Sequence, residues 1–504
     1  MITRAHTVCF EGMEPRLVEV ECAIANGLPA FSIVGLPDKA VSEARDRIRA
    51  AFSSLSIALP SKRIIINLTP ADLPKEGAHL DLPIALSLLA GLDIIPKEDV
   101  ENALAIGEIS LDGRLNAVAG ALPTALKAAE LDKDLFCPRD CGSEAAWVDG
   151  TRVIAAPTLL WLIQHMSAQN PIEPAAPRTL DAAPHLIDMN DVKGQERAKR
   201  ALEIAAAGRH HVLMIGTPGA GKSMLAARLP TILPPMTAQE ALETTMVHSL
   251  SGLPSANGLQ SVRPFREPHH TTSMAAIVGG GRCAKPGEIS LAHNGVLFMD
   301  EFPEFPRHVL ETLRQPIETG EVMIARANAH VKYPCRFTLI AAANPCRCGY
   351  MTQPEQACNR APLCGADYMG RISGPLMDRF DIRIEVPPVS FLDLNIPNDG
   401  KPSATIAARV KAARQLQLDR LAEFETVHTN ADMQGNLLEK FMKFDAEATT
   451  YLDRAAQKLD LTARGYHRIM RVARTIADLD QSGPTRKNHL AEAISFRLTQ
   501  SDKA

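Results

Sequence analysis

Eight residues, Gly216-Thr217-Pro218-Gly219-Ala220-Gly221-Lys222-Ser223, constrain this chain more than any other stretch. They follow the apolar run His211-Val212-Leu213-Met214-Ile215 and lead into Ser223-Met224-Leu225-Ala226-Ala227-Arg228, whose spacing is helical. Strand, glycine-rich turn and helix in that order make a phosphate-binding loop. Its glycines let successive backbone N–H groups converge on a polyphosphate such as that of ATP. Lys222 then reaches the outer phosphates and the Ser223 hydroxyl ligates Mg²⁺. The expected fold class is α/β: a parallel sheet with flanking helices around this loop, within a multidomain chain.

A chain of 504 residues has room for about three domains. Lys and Arg number 54 against 58 Asp and Glu, a net charge of −4, so no global positive field marks a nucleic-acid binder. Any DNA contact must come from a local basic surface. Met1 to Thr7 lack an apolar signal core. The longest apolar stretch, Leu80 to Ile95, is interrupted by Asp81 and Asp93 and is too short to cross a bilayer. The expectation is a cytoplasmic protein with no membrane partner.

A second apolar strand, Gly295-Val296-Leu297-Phe298-Met299, ends in Asp300-Glu301. A buried parallel strand delivers its C-terminal residues to the crevice where phosphates sit. Asp300 is therefore assigned to the Mg²⁺ shell and Glu301 to orienting and deprotonating the attacking water. Without the upstream loop, an Asp-Glu pair would be an ordinary solvated turn. Asp191-Val192-Lys193-Gly194-Gln195 before a helix from Glu196 to Ala207 resembles the start of AAA+ nucleotide-binding modules. That resemblance implies two further roles. Asn344, at the end of the strand Phe337 to Ala343, is similar to the sensor that helps place the water. Arg379, within Ser373-Gly374-Pro375-Leu376-Met377-Asp378-Arg379-Phe380-Asp381, resembles an arginine finger offered to a neighbouring subunit. An ordinary salt-bridged arginine is the alternative for Arg379.

The words Arg263-Pro264-Phe265-Arg266-Glu267-Pro268-His269-His270-Thr271-Thr272-Ser273, Gly279-Gly280-Gly281 and Pro286-Gly287-Glu288-Ile289-Ser290 make the likeness specific. With Gly295 to Phe302 and Ser373 to Asp381, they resemble the magnesium-chelatase-like AAA+ ATPases of the YifB/ComM family. The resemblance covers nearly the whole chain. It implies self-association into a homohexameric ring. It also implies a DNA helicase that drives branch migration on single-stranded or branched DNA, in recombination or natural transformation. The alternative is a motor that remodels a protein partner, as magnesium chelatase does.

His269 and His270 sit side by side on a turn with no third ligand at a recognisable spacing, which favours a loop-ordering role over metal binding. Residues Glu321 to Arg336 alternate like a hairpin. In related ring motors such a hairpin points into the pore, which would make Arg326, His330 and Lys332 contacts to DNA phosphates. A solvated hairpin with ordinary charges is the alternative. Tyr333 is its one aromatic, so backbone tracking is expected rather than base stacking.

The first third reads as a separate α+β domain, residues 1–165, followed by a proline-rich linker, 166–188. Lys75-Glu76-Gly77 before a helix, then Gly107-Glu108-Ile109 and Gly113-Arg114 before another, resemble the proteolytic domain of Lon. At the positions of that family's serine nucleophile and lysine base stand His79 and Pro123, so the likeness implies a fold without peptidase chemistry. The AAA+ core spans 189–395 and a helical lid 396–504. In the lid, Arg464 resembles the second sensor arginine that approaches nucleotide, with Arg468 one turn later as its rival. Ten cysteines in an intracellular chain argue against a disulfide framework. Four of them, Cys346, Cys348, Cys358 and Cys364, share the loop 346–364 and can satisfy a tetrahedral Zn²⁺, with free thiols as the alternative.

Overall fold

The computed structural model describes residues 2–177, 186–253, 259–281, 284–326, 329–351, 357–389, 400–424, 426–459 and 461–497, and leaves the side chains of 325–330 undescribed. The front third is built on seven strands: β1 (Ile2–Glu11), β2 (Glu14–Ala25), β3 (Ala30–Val34), β4 (Arg63–Thr69), β5 (Ala103–Ala105), β6 (Asp134–Pro138) and β7 (Val153–Ala156), in the order β3-β4-β2-β1-β5-β6-β7. The inward side of β1 includes Thr3 and Thr7, so polar residues break the alternation that would reveal it from sequence. The apolar stretch after Leu80 becomes the helix Asp81–Gly91, buried along residues 81–90. Asp81 lies in this core because Arg47 grips both its oxygens, at 2.7 and 2.8 Å. None of the described helices is long and apolar enough to cross a membrane.

The second sheet uses β8 (Val212–Ile215), β9 (Phe265–Arg266), β10 (Val296–Met299), β13 (Thr338–Ala343) and β14 (Ile382–Glu385), between which a hairpin, β11 (Glu321–Arg326) and β12 (Ala329–Pro334), is inserted. The order is β9-β10-β13-β8-β14 and every neighbouring pair is parallel. Every residue of β10 and β13 is buried, as strands covered on both faces require. The chain order places β8 in the interior, with β13 on one side and β14 on the other.

Helices Ser403–Leu421, Asn436–Phe441, Ala446–Lys458, Ala463–Leu479 and Lys487–Ser495 form the lid. Periodicity alone predicts one helix from Leu437 to Leu459. The structure breaks it at Asp445, whose side chain accepts from Ala448 N–H at 2.7 Å and starts a new helix. The lid is braced to the sheet by Arg468, which donates to Asp381 Oδ1 at 2.5 Å and to Arg379 O at 2.7 Å. Burial opposes the charge on Asp381, yet Arg468, with His210 and His211, holds its carboxyl well below the usual range.

A depressed carboxyl stabilises the fold above its unfolded pKa, and that stability is lost as pH falls through the folded value. Asp381→Asn should therefore cost about 3–5 kcal/mol, the penalty for leaving a buried cation unpaired. The readout is the denaturant midpoint at neutral pH. The deficit relative to the unaltered protein should shrink in acid, where Asp381 itself takes up a proton.

Front domain and core are packed together. Gly120 N–H donates to Ser249 Oγ at 3.0 Å, and Leu242 and Met246 pack on the cluster around Leu122 and Ala125. At the β1–β2 turn, Phe10 and Met13 lie against the cluster that holds Val322, Ile324, Val331 and Tyr333 of the hairpin. Gly12 stands there at φ +65°, where a Cβ would meet Val331 Cγ1 at 2.4 Å.

Candidate phosphate site

Parallel strands bring their C-terminal ends to one edge, so β8, β10 and β13 deliver the phosphate loop, Asp300-Glu301 and Asn344 to the same crevice. In the loop, Gly219 and Gly221 adopt φ +76° and +89°, and a Cβ on either would meet nothing within 4 Å, so the rim of the loop is open. Lys222 begins the helix Lys222–Arg228. Its amine donates to Gly216 O at 2.8 Å, Thr217 O at 3.0 Å and Asn344 Oδ1 at 3.1 Å. Burial pulls this amine below the ordinary lysine value, and the charges of Asp300 and Glu301 oppose the shift. The Ser223 hydroxyl donates to Asp300 Oδ2 at 2.7 Å, while Asp300 Oδ1 accepts from Glu301 N–H at 2.8 Å.

These residues fit a magnesium–polyphosphate group. Thr217 Oγ1 is buried and has no hydrogen-bond partner, an orphaned donor in the loop itself. Ser223 and Asp300 present a hydroxyl and a carboxylate as adjacent oxygens, the ligand type Mg²⁺ takes. The loop N–H groups and the Lys222 amine supply the positive potential that phosphate oxygens need.

Glu301 occupies the left-handed region at φ 49°, ψ 43°, a conformation that costs a non-glycine residue roughly 1–3 kcal/mol. Its carboxylate is half exposed and faces His270, with Nδ1 3.2 Å from Oε2. His270 lies on the turn that follows β9, and its ring lies 4.1 Å from that of His269, tilted by 33°. Burial, and then the charge of Asp300, pushes the Glu267 carboxyl upward. Glu267 thus joins the site unheralded by sequence. The strand that delivers it has only two residues, too short for periodicity to reveal, although the strand-end logic that found Asp300 applies to it equally.

The two arginines are not brought to this crevice. Arg379 precedes β14 at the opposite edge, ion-paired with Glu318 and donating to Arg314 O at 3.1 Å and Pro375 O at 2.6 Å. Arg464 lines a cavity of about 800 Å³ between that edge and the lid, together with Arg209, Arg336, His467, Arg468 and Arg471. The four-residue strand β8 separates this cavity from the phosphate loop by roughly 13 Å, at about 3.3 Å per residue. Arg464 is thus held away from the phosphate loop of its own chain. Its rival, Arg468, is committed to the Asp381 brace.

Directly after Asn344, Cys346 Sγ lies 3.0 Å from Cys348 Sγ, and these two with Cys364 fall within 4.8 Å of one another. Cys358, half-buried in the same loop, lies outside that trio. In the hairpin, Lys332 is exposed and 3.6 Å from Glu321. The side chains of Arg326 and His330 lie outside the described residues. Tyr333 is packed into the core and unavailable for stacking on bases. In the front domain, His79 is buried with Nε2 2.9 Å from Val8 O, and Pro123 is buried in the helix Ala121–Glu130. Neither position offers a nucleophile or a base to a peptide.

Three family descriptions match the chain: "Magnesium chelatase, subunit ChlI" over residues 188–394, "Subunit ChlI of Mg-chelatase" over 20–140, and "Magnesium chelatase, subunit ChlI C-terminal" over 400–497. The competence protein ComM of Haemophilus influenzae is 42% identical over 494 residues, covering 96% of this chain and 95% of that protein. YifB of Escherichia coli is 40% identical over 496 residues, covering 98% and 96%. The magnesium-chelatase 38 kDa subunit of Rhodobacter capsulatus is 24% identical over 335 residues, covering 61% of this chain and 85% of that subunit.

Proposed function

The chain belongs to the YifB/ComM family of magnesium-chelatase-like AAA+ ATPases, and from that membership and the site geometry we propose that it is a cytoplasmic ring motor, a homohexamer, that hydrolyses ATP to move DNA strands. One observation carries the reading. The groups that grip a triphosphate sit at one edge of the sheet and the two candidate arginines at the other, so a complete site is assembled only where protomers meet head to tail.

Within a protomer, the loop amides and Lys222 bind and orient the phosphates, and Asn344 positions the water beside Lys222. Glu301 takes the proton from that water. Mg²⁺ held by Ser223 and Asp300 supplies Lewis-acid polarisation of phosphoryl oxygens when bound. Arg379 of the neighbouring protomer offsets charge that develops on the γ-phosphoryl group, and Arg464 of that same neighbour reaches these phosphates from its lid. The cysteine loop holds a structural Zn²⁺. Lys332, with Arg326 and His330, contacts the phosphate backbone of DNA. The front domain is a structural module without peptidase chemistry.

The DNA reading is supported by the relative named a competence protein and by the exposed Lys332. The magnesium-chelatase subunit supports the second reading, a motor that remodels a protein partner. Steady-state ATPase assays with forked and four-way DNA, scored together with strand displacement, separate them. Stimulation by branched DNA with release of a labelled strand is expected. Turnover indifferent to every DNA form would sink the helicase reading and favour remodelling.

A further inference from the structure

We propose that Cys346, Cys348, Cys358 and Cys364 form a Zn²⁺ clip that fixes the roof of the phosphate loop, so that metal occupancy sets nucleotide affinity. The affinity part rests on the reading of residues 216–223 as a nucleotide site; the metal part stands without it.

The geometry is that of a thiolate cage a short relaxation away from closure. A tetrahedral zinc with Zn–S bonds of about 2.3 Å holds its sulfurs about 3.8 Å apart. Cys346, Cys348 and Cys364 already have sulfurs within 4.8 Å of one another, the closest pair at 3.0 Å. The fourth cysteine, Cys358, lies in the same loop outside that trio and must swing in to complete the set. Four soft sulfur donors with no carboxylate among them select zinc over Mg²⁺ or Ca²⁺. Each cysteine binds as a thiolate and gives its proton to solvent, so closure needs no oxidant. A reason to bind metal is also on view. Between β13 and the helix Leu363–Met369 the described chain has no regular structure. Loops of that length inside a compact domain lose entropy on ordering and need a staple or a function.

Two contacts tie this loop to the phosphate site, and a third closes the loop on itself. Asn344, two residues before Cys346, accepts from the Lys222 amine at 3.1 Å. Gly349, next to Cys348, is seated so closely on the phosphate loop that a Cβ would stand 2.6 Å from Pro218 Cγ. Gly365, next to Cys364, is as close to the loop's own start, where a Cβ would meet Met351 Sδ at 2.4 Å and Pro345 O at 3.0 Å. One of the four ligands, Cys348, therefore adjoins the point at which the loop bears on Pro218, and another, Cys364, adjoins its anchor. Closing the clip presses Gly349 onto Pro218 and holds Asn344 against Lys222. Opening it releases both.

The test uses the full chain purified without chelator. Elemental analysis should find about one zinc per chain, and Cys348→Ser and Cys364→Ser should each lose it while keeping a cooperative thermal transition. Affinity for a non-hydrolysable fluorescent ATP analogue should weaken by about tenfold or more in both variants. Because a substitution can also damage the loop, the native chain is stripped with chelator and reloaded with Zn²⁺ alone, and reloading should restore the affinity. Absence of zinc from the native chain, or zinc retained by both variants, would overturn the site. Zinc lost with unchanged affinity would overturn the coupling. A zinc-loaded native chain that binds no nucleotide would instead overturn the phosphate-site reading and leave the metal count standing.

Discussion

Arg379→Ala should leave ATP binding intact and slow turnover by about 10³- to 10⁵-fold, the range an arginine finger contributes to phosphoryl transfer. The argument is positional. Arg379 lies at the entry edge of the sheet, a strand's length from the phosphate loop of its own chain, so under the proposed ring reading it serves a neighbour's triphosphate. In the protomer it is parked, paired with Glu318 and donating to two backbone carbonyls, and 5% exposed. Assembly must exchange those partners for phosphoryl oxygens, which costs little if the planar fork finds equivalent acceptors. The measurement is ATPase rate on verified rings, alone and mixed with Lys222→Ala. Each variant is inactive for a different reason, so mixed rings contain interfaces with both an intact loop and an intact arginine, and activity should return. If Arg379 only packs against Glu318, Glu318→Ala should do equal harm and mixing should rescue nothing.

The second large effect is at Glu301. Replacement by Gln keeps the shape and removes the proton acceptor, so nucleotide should still bind while turnover drops by about 10²–10⁴-fold. The contact to His270 refines the expectation. With Nδ1 3.2 Å from Oε2, the imidazole holds the carboxylate in one orientation, and the left-handed backbone at 301 fixes where that carboxylate starts from. His270→Ala should therefore lower kcat at nearly constant KM and move the pH–rate profile, whereas Glu301→Gln flattens it. A Glu301→Gln protein with full turnover would remove Glu301 from the reaction.

Much of this site can be read from residue order alone, for a physical reason. A loop that wraps phosphate needs particular residues at fixed spacing, and a strand buried on both faces declares itself as an unbroken apolar run whose end is a polar group. Gly216 to Ser223, Asp300, Glu301 and Asn344 follow from those two rules, and the structure gathers them within hydrogen-bonding reach. Less legible are features fixed by distant contacts. Which edge of the sheet Arg464 faces depends on how the lid docks, and that is set by Arg468, Asp381 and the helix packing around them. The lid helix expected as one piece is two because the Asp445 carboxylate competes for the backbone as a cap. Tyr333, the one aromatic of the hairpin, is not expected from sequence to stack on bases, and its side chain is turned to the core.

The glycine at position 12 leaves a hollow that the Val331 side chain fills, one residue along the strand from Lys332. Such a fit has no slack. If the hairpin strokes during a hydrolytic cycle, its recoil passes through that tooth into the ten-residue opening strand and the sheet behind it. The front third then serves as the bearing against which the moving part turns, and loosening it would cost the machine its grip rather than its fuel.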